Sequence, residues 1–432
     1  MTVNRLSSKP IDFVVQDWDV VPIRTFVKEL ISGTSVNSEN RQKSQNEKGV
    51  LKTSAVGHGR FYAGEHKAVL IDEEGRLKNS VIASRIIISR MNTPNLVGES
   101  GYVDATYSDL FLPDRLWMTE PSEVKHCTKW LAYCLQFPPI KQTIQASASG
   151  TSNSMKNISK DNFLSTEVPM PPLPEQKKIA RILSSVDSKL ALIDQQITTT
   201  QTLKKGLMQK LYTQGVGTQD ADGRWQPHTE FQETEMKLVE NGLISKTASR
   251  IPDGWKPLKL GDIFSVKSGD FLPKNKMEPG TVPVYGGNGI SGYHAQANTQ
   301  GPKLIIGRVG AYCGAVYLSG SNSWITDNAL FINEKHQSFD DKFGLFLLEH
   351  LNLNSYAAQS AQPLISGKLL LEIKANLPPL PEQQEIARIL STVDHKLDHL
   401  KSKKTQTQQL KKGLMQKLLT GQIRVQPDPQ DN

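Results

Sequence analysis

Pro171-Pro172-Leu173-Pro174-Glu175-Gln176, followed by Ile179-Ala180-Arg181-Ile182-Leu183-Ser184, returns 207 residues later as Pro378-Pro379-Leu380-Pro381-Glu382-Gln383, followed by Ile386-Ala387-Arg388-Ile389-Leu390-Ser391. The copying runs on through Leu203-Lys204-Lys205-Gly206-Leu207-Met208-Gln209-Lys210-Leu211, repeated unchanged at 410–418. In all, 28 of the 41 positions from 171 to 211 are identical, so the chain is built twice. Around these segments the repeat is faint. Ile158-Ser159 and Leu164 match Ile365-Ser366 and Leu371, and Trp18 precedes Ser32-Gly33 much as Trp255 precedes Ser268-Gly269. One near-constant segment alternating with two dissimilar regions implies two different binding surfaces on one scaffold.

The copied segment reads as a long helix. Pro174 suits a first turn, where it needs no amide partner, and Glu175 beside it complements the positive end of the helix dipole. Ile179, Leu183, Val186, Leu190, Ile193 and Ile197 recur at spacings of four and three, as do Ile386, Leu390, Val393, Leu397 and Leu400, which is a heptad seam. A helix from Pro174 to Tyr212 would be about 58 Å long at 1.5 Å per residue, and its apolar stripe needs a partner. The other copy can supply it, as an antiparallel coiled coil holding two divergent domains at opposite ends; packing of each helix on its own domain is the alternative. Gly206 and Gly413 should each cost roughly 1 kcal/mol relative to Ala inside a helix. A close helix crossing or a docked subunit would explain them, and so would a bend or local break.

The divergent regions read as mixed and largely β, with runs such as 81–88 and Leu304-Ile305-Ile306-Gly307. Each ends in a helix-like run, Pro121 to Gln136 and Asp341 to Asn352. Val284-Tyr285-Gly286-Gly287-Asn288-Gly289-Ile290 is either a tight hairpin or a loop that lets backbone amides approach a ligand. The polar stretch 218–254 reads as a connection between the first long helix and the second domain.

A chain of 432 residues has length for at least two cores. Its net charge of +8 and pI near 9.1 favour a polyanionic partner, although lysine is also an ordinary solvated residue. No run of 18 apolar residues exists to span a bilayer, and residues 1–10 lack the apolar stretch of a secretory leader, so a cytoplasmic location is expected. Cys127, Cys134 and Cys313 are too few for a disulfide framework. Cys127 and Cys134 read as small buried hydrophobes rather than zinc ligands, since no Cys-x-x-Cys accompanies them.

Catalytic signatures are missing. Phe137-Pro138-Pro139-Ile140 lacks the amide or carboxylate and the aromatic that a base methyltransferase places around two prolines. Gly367-Lys368 is followed by Leu369, not the Ser or Thr of a phosphate-binding loop. The chain is expected to bind and orient while others catalyse, with no catalytic residue and no metal site of its own. Candidate DNA contacts in the first region are Lys52, Thr53, Ser54, His58 and Arg60, and then Arg85, Arg90 and Asn92. In the second they are Lys274, Asn275, Lys276, Tyr285, Asn288, Arg308 and Tyr312. Arg matches guanine and Asn matches adenine in bidentate fashion, but surface loops carry the same residues for solvation alone.

With these motifs in place, the chain resembles the specificity (S) subunit of type I restriction-modification systems over nearly its whole length. Ile251-Pro252-Asp253-Gly254-Trp255, Leu260-Gly261-Asp262-Ile263 and Val284-Tyr285-Gly286-Gly287-Asn288-Gly289 look like parts of that family's second target-recognition domain. Ile88-Ser89-Arg90-Met91-Asn92-Thr93 and Leu96-Val97-Gly98-Glu99 look like a strand and turn of the first. The resemblance implies an α+β chain: a first target-recognition domain at 1–166, a spacer helix at 167–216, a linker at 217–254, a second recognition domain at 255–371, a second spacer helix at 372–425 and a tail at 426–432. Each domain would read half of a split, asymmetric target in double-stranded DNA, with the helices fixing the gap. Two modification subunits would dock, with Arg181, Leu203, Lys204, Gly206, Arg388, Leu410, Lys411 and Gly413 as candidate contacts. They would methylate adenine with S-adenosylmethionine, and restriction subunits would add ATP- and Mg-dependent translocation and cleavage. The first domain has no Tyr-Gly-Gly-Asn-Gly loop. A protein scaffold built on a coiled coil, with no DNA ligand, is the competing reading.

Overall fold

The computed structural model describes residues 17–150, 155–240, 243–357 and 363–427; residues 1–10, where no leader is expected, lie outside them. The chain forms two units, one of Met1–Ile193 with Lys403–Asn432, the other of Asp194–Ser402.

In the first unit a six-stranded sheet runs in the order Val27–Ser32, Leu116–Pro121, Ile86–Ser89, Ser100–Tyr102, Gly59–Phe61, Val56–Gly57. A five-stranded sheet runs Ser38–Glu39, His66–Val69, Gly49–Leu51, Tyr107–Phe111, Ser80–Val81. Strand Ile86–Ser89 is buried on both faces. Side chains alternate across a strand, so Ile86 and Ile88 join the core of Trp117, Trp130 and Phe163, while Ile87 joins that of Leu110, Leu116 and Met118. The β-branched run at 81–88 is not one strand: Val81 belongs to the five-stranded sheet, and the chain turns at Ser84 (φ 58°) before entering the other. Nor is 121–136 one helix. Pro121 closes strand Leu116–Pro121, and the helices are Thr128–Gln136 and Pro138–Ala146, separated at Phe137, because the prolines at 138 and 139 start a helix more readily than they continue one.

The second unit has a four-stranded sheet, ordered Phe264–Ser268, Ala329–Lys335, Leu304–Gly307, Val316–Leu318, and a three-stranded sheet, ordered Gly289–His294, Val282–Gly286, Trp324–Ile325. Helix Asp341–His350 buries Phe343, Phe346, Leu347 and Leu348 and is capped by the Asp340 carboxylate, which accepts from Phe343 N. The polar connection is not featureless: Thr218–Gln219 pairs with Trp225–Gln226, and Phe231–Glu240 pairs residue for residue with Leu243–Pro252. Asn241-Gly242 between the latter strands is a hairpin signal in the sequence.

The repeat is deeper in structure than in sequence. Asp19–Pro22 pairs antiparallel with Glu167–Met170, and Lys256–Lys259 with Lys374–Leu377, so the same ribbon closes each domain where its long helix begins. Before the ribbon, Ser159 and Ser366 cap two short helices by accepting from Asn162 N and Leu369 N, with Ile158 and Ile365 buried beside them.

The long helices are Leu173–Gln214 and Leu380–Leu419. In the first unit Ile179 and Leu183 share a core with Met415, Leu418 and Leu419; in the second Leu211 and Tyr212 share one with Ile386 and Leu390. The start of each helix thus lies beside the end of the other, so within each unit the helices run antiparallel. The heptad residues read from sequence are buried except Ile197 and Val393, which are half-buried, and Thr200 and Thr407 continue the seam with hydroxyls bonded to Gln196 O and Lys403 O of their own helices.

Candidate nucleic-acid interface

The invariant Glu-Gln pair explains how each helix is fixed to its domain. Gln176 donates to Pro171 O and accepts from Cys127 N; Gln383 donates to Pro378 O and accepts from Asp340 N. Glu382, nearly fully buried, accepts from Val216 N, Gly217 N, Trp255 Nε1 and His228 Nε2 at 2.8–3.1 Å. Its counterpart Glu175 takes a two-pronged Arg424 guanidinium and Val425 N instead, and Arg424 also covers the Trp18 ring at 5.5 Å. A second device is repeated as well. Asp187 of one helix binds Lys411 of the other at 2.7 Å in the first unit, and Asp394 binds Lys204 at 2.8 Å in the second. Each lysine covers an aromatic ring of its recognition domain, Tyr133 and Phe346 respectively.

These contacts shift protonation. Burial first, with the Asp187 charge beside it, holds the Tyr133 hydroxyl above its ordinary value, so it is the donor to Asp187. Burial also raises the Glu349 carboxyl against the pull of Lys204; Lys204 itself resists burial and is raised by Asp394 and Glu349.

In the second unit three loops meet. A Cβ on Gly307 would lie 2.4 Å from Gly287 O and 2.6 Å from Tyr312 O, and one on Gly287 3.2 Å from Val309 O and 3.3 Å from Asn328 O. The glycines are required by the approach of one protein backbone to another. Beside this junction is a pocket of about 580 Å³ bordered by Lys274, Asn288, Tyr312, Thr326 and Asn328. It brings together Lys274, Asn288 and Tyr312 of the expected contacts. Asn275 and Lys276 are exposed but outside it, Tyr285 is buried, and Arg308 is half-buried with its Nε unpartnered. Thr326 and Asn328, on the turn before strand Ala329–Lys335, carried no pattern that would single them out.

In the first unit a cavity of about 300 Å³ gathers His58 and Arg60 with Tyr102, Lys129, Tyr133 and Lys411. His58 has φ 53°, and its backbone N–H is held by the buried Glu99 carboxylate, which also meets Lys141. Ser54 donates to Glu65, away from this cavity; Lys52 and Thr53 precede it on the same turn. Arg85 pairs with Glu120, and Asn92 spends its amide on Ser89 and its carbonyl on Thr93 N, so these two are engaged within the fold, whereas Arg90 lies over Trp117 with its Nε unpartnered.

Of the candidate docking residues, Lys204 and Lys411 are engaged in the interhelix ion pairs, and Arg388 pairs with Glu385 on its own helix. Arg181 is exposed. Leu203 and Leu410 are each 52% exposed. Both helices run unbroken through Gly206 and Gly413, and an added Cβ at either meets nothing within 4 Å. A close crossing and a local break are therefore both excluded as reasons for these glycines.

Cys134 and Cys313 are buried and Cys127 half-buried, with thiols raised by burial; among the described residues no His, Cys, Asp and Glu cluster could hold a metal. No helix among them is long and apolar enough to cross a membrane.

The family model of the type I restriction modification DNA specificity domain matches residues 16–200 and 252–411. The type I restriction enzyme MjaVIII specificity subunit of Methanocaldococcus jannaschii is 25% identical over 444 residues, covering 95% of this chain and 94% of that one. Among solved structures, a type I restriction-modification S subunit from M. genitalium aligns with a TM-score of 0.59 at 19% identity, over 96% of this chain and 98% of its own. A chain from a study of complex assembly and conformational transition in a type I system aligns at 0.52 and 14% identity, over 95% and 99%.

Proposed function

The chain belongs to the type I restriction-modification DNA specificity family, and from that premise we propose how its two units divide the work. Specificity subunits are the non-catalytic members of type I systems, and DNA target recognition is their task. Each recognition domain reads one part of a bipartite, asymmetric site in double-stranded DNA, and the paired helices set the gap between the parts. Two modification subunits dock on the repeated elements, bringing S-adenosylmethionine to methylate adenine. Restriction subunits bring ATP and Mg, so no cofactor belongs to this chain. The assembly works in the cytoplasm.

One observation carries this reading: the exposed faces around Leu203 and Gly206 and around Leu410 and Gly413 are identical, while the β domains are not. Two identical partners require two identical surfaces, whereas two different half-sites require two different readers. The glycines support it, because each weakens its helix by about 1 kcal/mol with no compensating contact among the described residues. Insertion of four residues into both long helices tests the spacer: the recognised gap should change, and an unchanged gap refutes it. Binding to duplex DNA should weaken steeply with salt as phosphate counterions are released, and salt-independent binding would favour a protein-only scaffold.

A further inference from the structure

We propose that the pocket of the second unit is a base-reading subsite whose ligand is the major-groove edge of an adenine, and that Asn288 and Asn328 determine specificity there. The inference rests on the DNA-recognition reading above and deepens it. The pocket gathers polar groups that the fold leaves unused. Neither the Asn288 nor the Asn328 carboxamide has a protein hydrogen-bond partner among the described residues, and both are exposed. At the pocket wall Thr326 is 6% exposed, and its buried Oγ1 has no partner either. A buried hydroxyl left unsatisfied costs about 1–3 kcal/mol, so native proteins rarely keep one unless something else completes it.

The donor and acceptor pattern selects the ligand. A carboxamide offers one acceptor and one donor side by side, the complement of adenine N6–H and N7, whereas guanine presents two acceptors and calls for Arg or Lys. Among the described residues the one cation lining this pocket, Lys274, lies on a short 3-10 turn at its rim, suited to a neighbouring phosphate. Tyr312, 54% exposed, lines the same pocket and offers a flat apolar face. The loops meet backbone to backbone, because Gly287 and Gly307 leave no room for an added atom between them, so the two asparagines are carried on segments packed directly against each other.

The test uses the full chain assembled with its modification subunits, selecting from a random-sequence duplex pool by binding. Wild type should enrich a two-part motif. Asn288→Ala and Asn328→Ala should each lower the preference for an A·T pair by about tenfold or more, both within the same half of the motif, with the other half intact. Thr326→Val, which keeps the shape and removes the hydroxyl, should relax the same half. An unchanged motif in all three variants overturns the proposal, as does relaxation at a G·C pair. Uniform weakening across all sequences, repeated with the milder Asn328→Ser, also overturns it. A wild-type assembly that enriches no motif would instead overturn the DNA-recognition reading itself.

Discussion

Replacing Glu382 by alanine should unfold its unit far more readily than the same change at Glu175 unfolds the other, although the two residues are copies in sequence. The Glu382 carboxylate accepts four hydrogen bonds, from Val216 N, Gly217 N, the Trp255 indole and His228. Alanine leaves these donors without a partner in a buried place, at about 1–3 kcal/mol for each stranded group, so a total near 5 kcal/mol is expected after allowing for non-additivity. Glu175 serves Arg424 and Val425 N. Arg424 is 45% exposed and can turn to water, which leaves one backbone donor stranded and an expected cost of about 2 kcal/mol. At 1.4 kcal/mol per tenfold, the opening equilibrium should rise by more than a thousandfold in the first variant and by some thirtyfold in the second. Because two units need not melt together, hydrogen exchange read separately on peptides of each is the appropriate measurement. Retained protection of the Val216 and Gly217 amides in Glu382→Ala, or a loss in Glu175→Ala as large as that in Glu382→Ala, would refute the reasoning.

Gly206→Ala and Gly413→Ala should each stabilise the isolated chain by about 1 kcal/mol, since the new methyl groups meet open space, while weakening assembly if partners pack there. A lower melting temperature of the chain alone would contradict this. His350 is half-buried and stacked on Tyr212 at 4.9 Å, and desolvation holds its imidazole below the ordinary 6.5. The unfolded chain therefore takes up the proton first, so the contribution of His350 to stability is intact above pH 6.5 and is lost as pH falls below it. His350→Phe should flatten that decline in urea titrations, and an unchanged pH profile would rule the residue out. Asp394→Lys should cost about 1–2 kcal/mol by setting two cations together, and adding Lys204→Asp should recover most of it. A double variant no more stable than the single one would show that the pair does not align the helices.

The long helices were legible because heptad periodicity survives in a linear string and because the chain repeats it. Ile179, Leu183, Leu390 and Leu397 stand where their spacing put them. The β domains were legible only in class. The run 81–88 looked like one strand, but Ser84 takes a left-handed turn and sends its two ends into different sheets, and such a choice depends on neighbours distant in sequence. The same limit applied to the candidate contacts. Arg85 and Asn92 have the right chemistry for DNA, yet Glu120 and the Ser89–Thr93 turn already engage them. Asn328 sits in an ordinary Asp-Asn turn, and only the folding of three loops against one another brings it beside Asn288.

The sequence by itself determined that this protein is doubled, that its copied part is helical, and that its two uncopied parts are dissimilar, because identity and period are properties of the string. Why Glu and Gln follow the prolines in both copies was decided by tertiary structure alone. Glu382 and Gln383 gather donors from the connection, the second domain and the helix start, and Glu175 and Gln176 gather theirs from the C-terminal segment and the first domain. A buried carboxylate is tolerated only when such partners converge on it, and convergence is a fact of three dimensions.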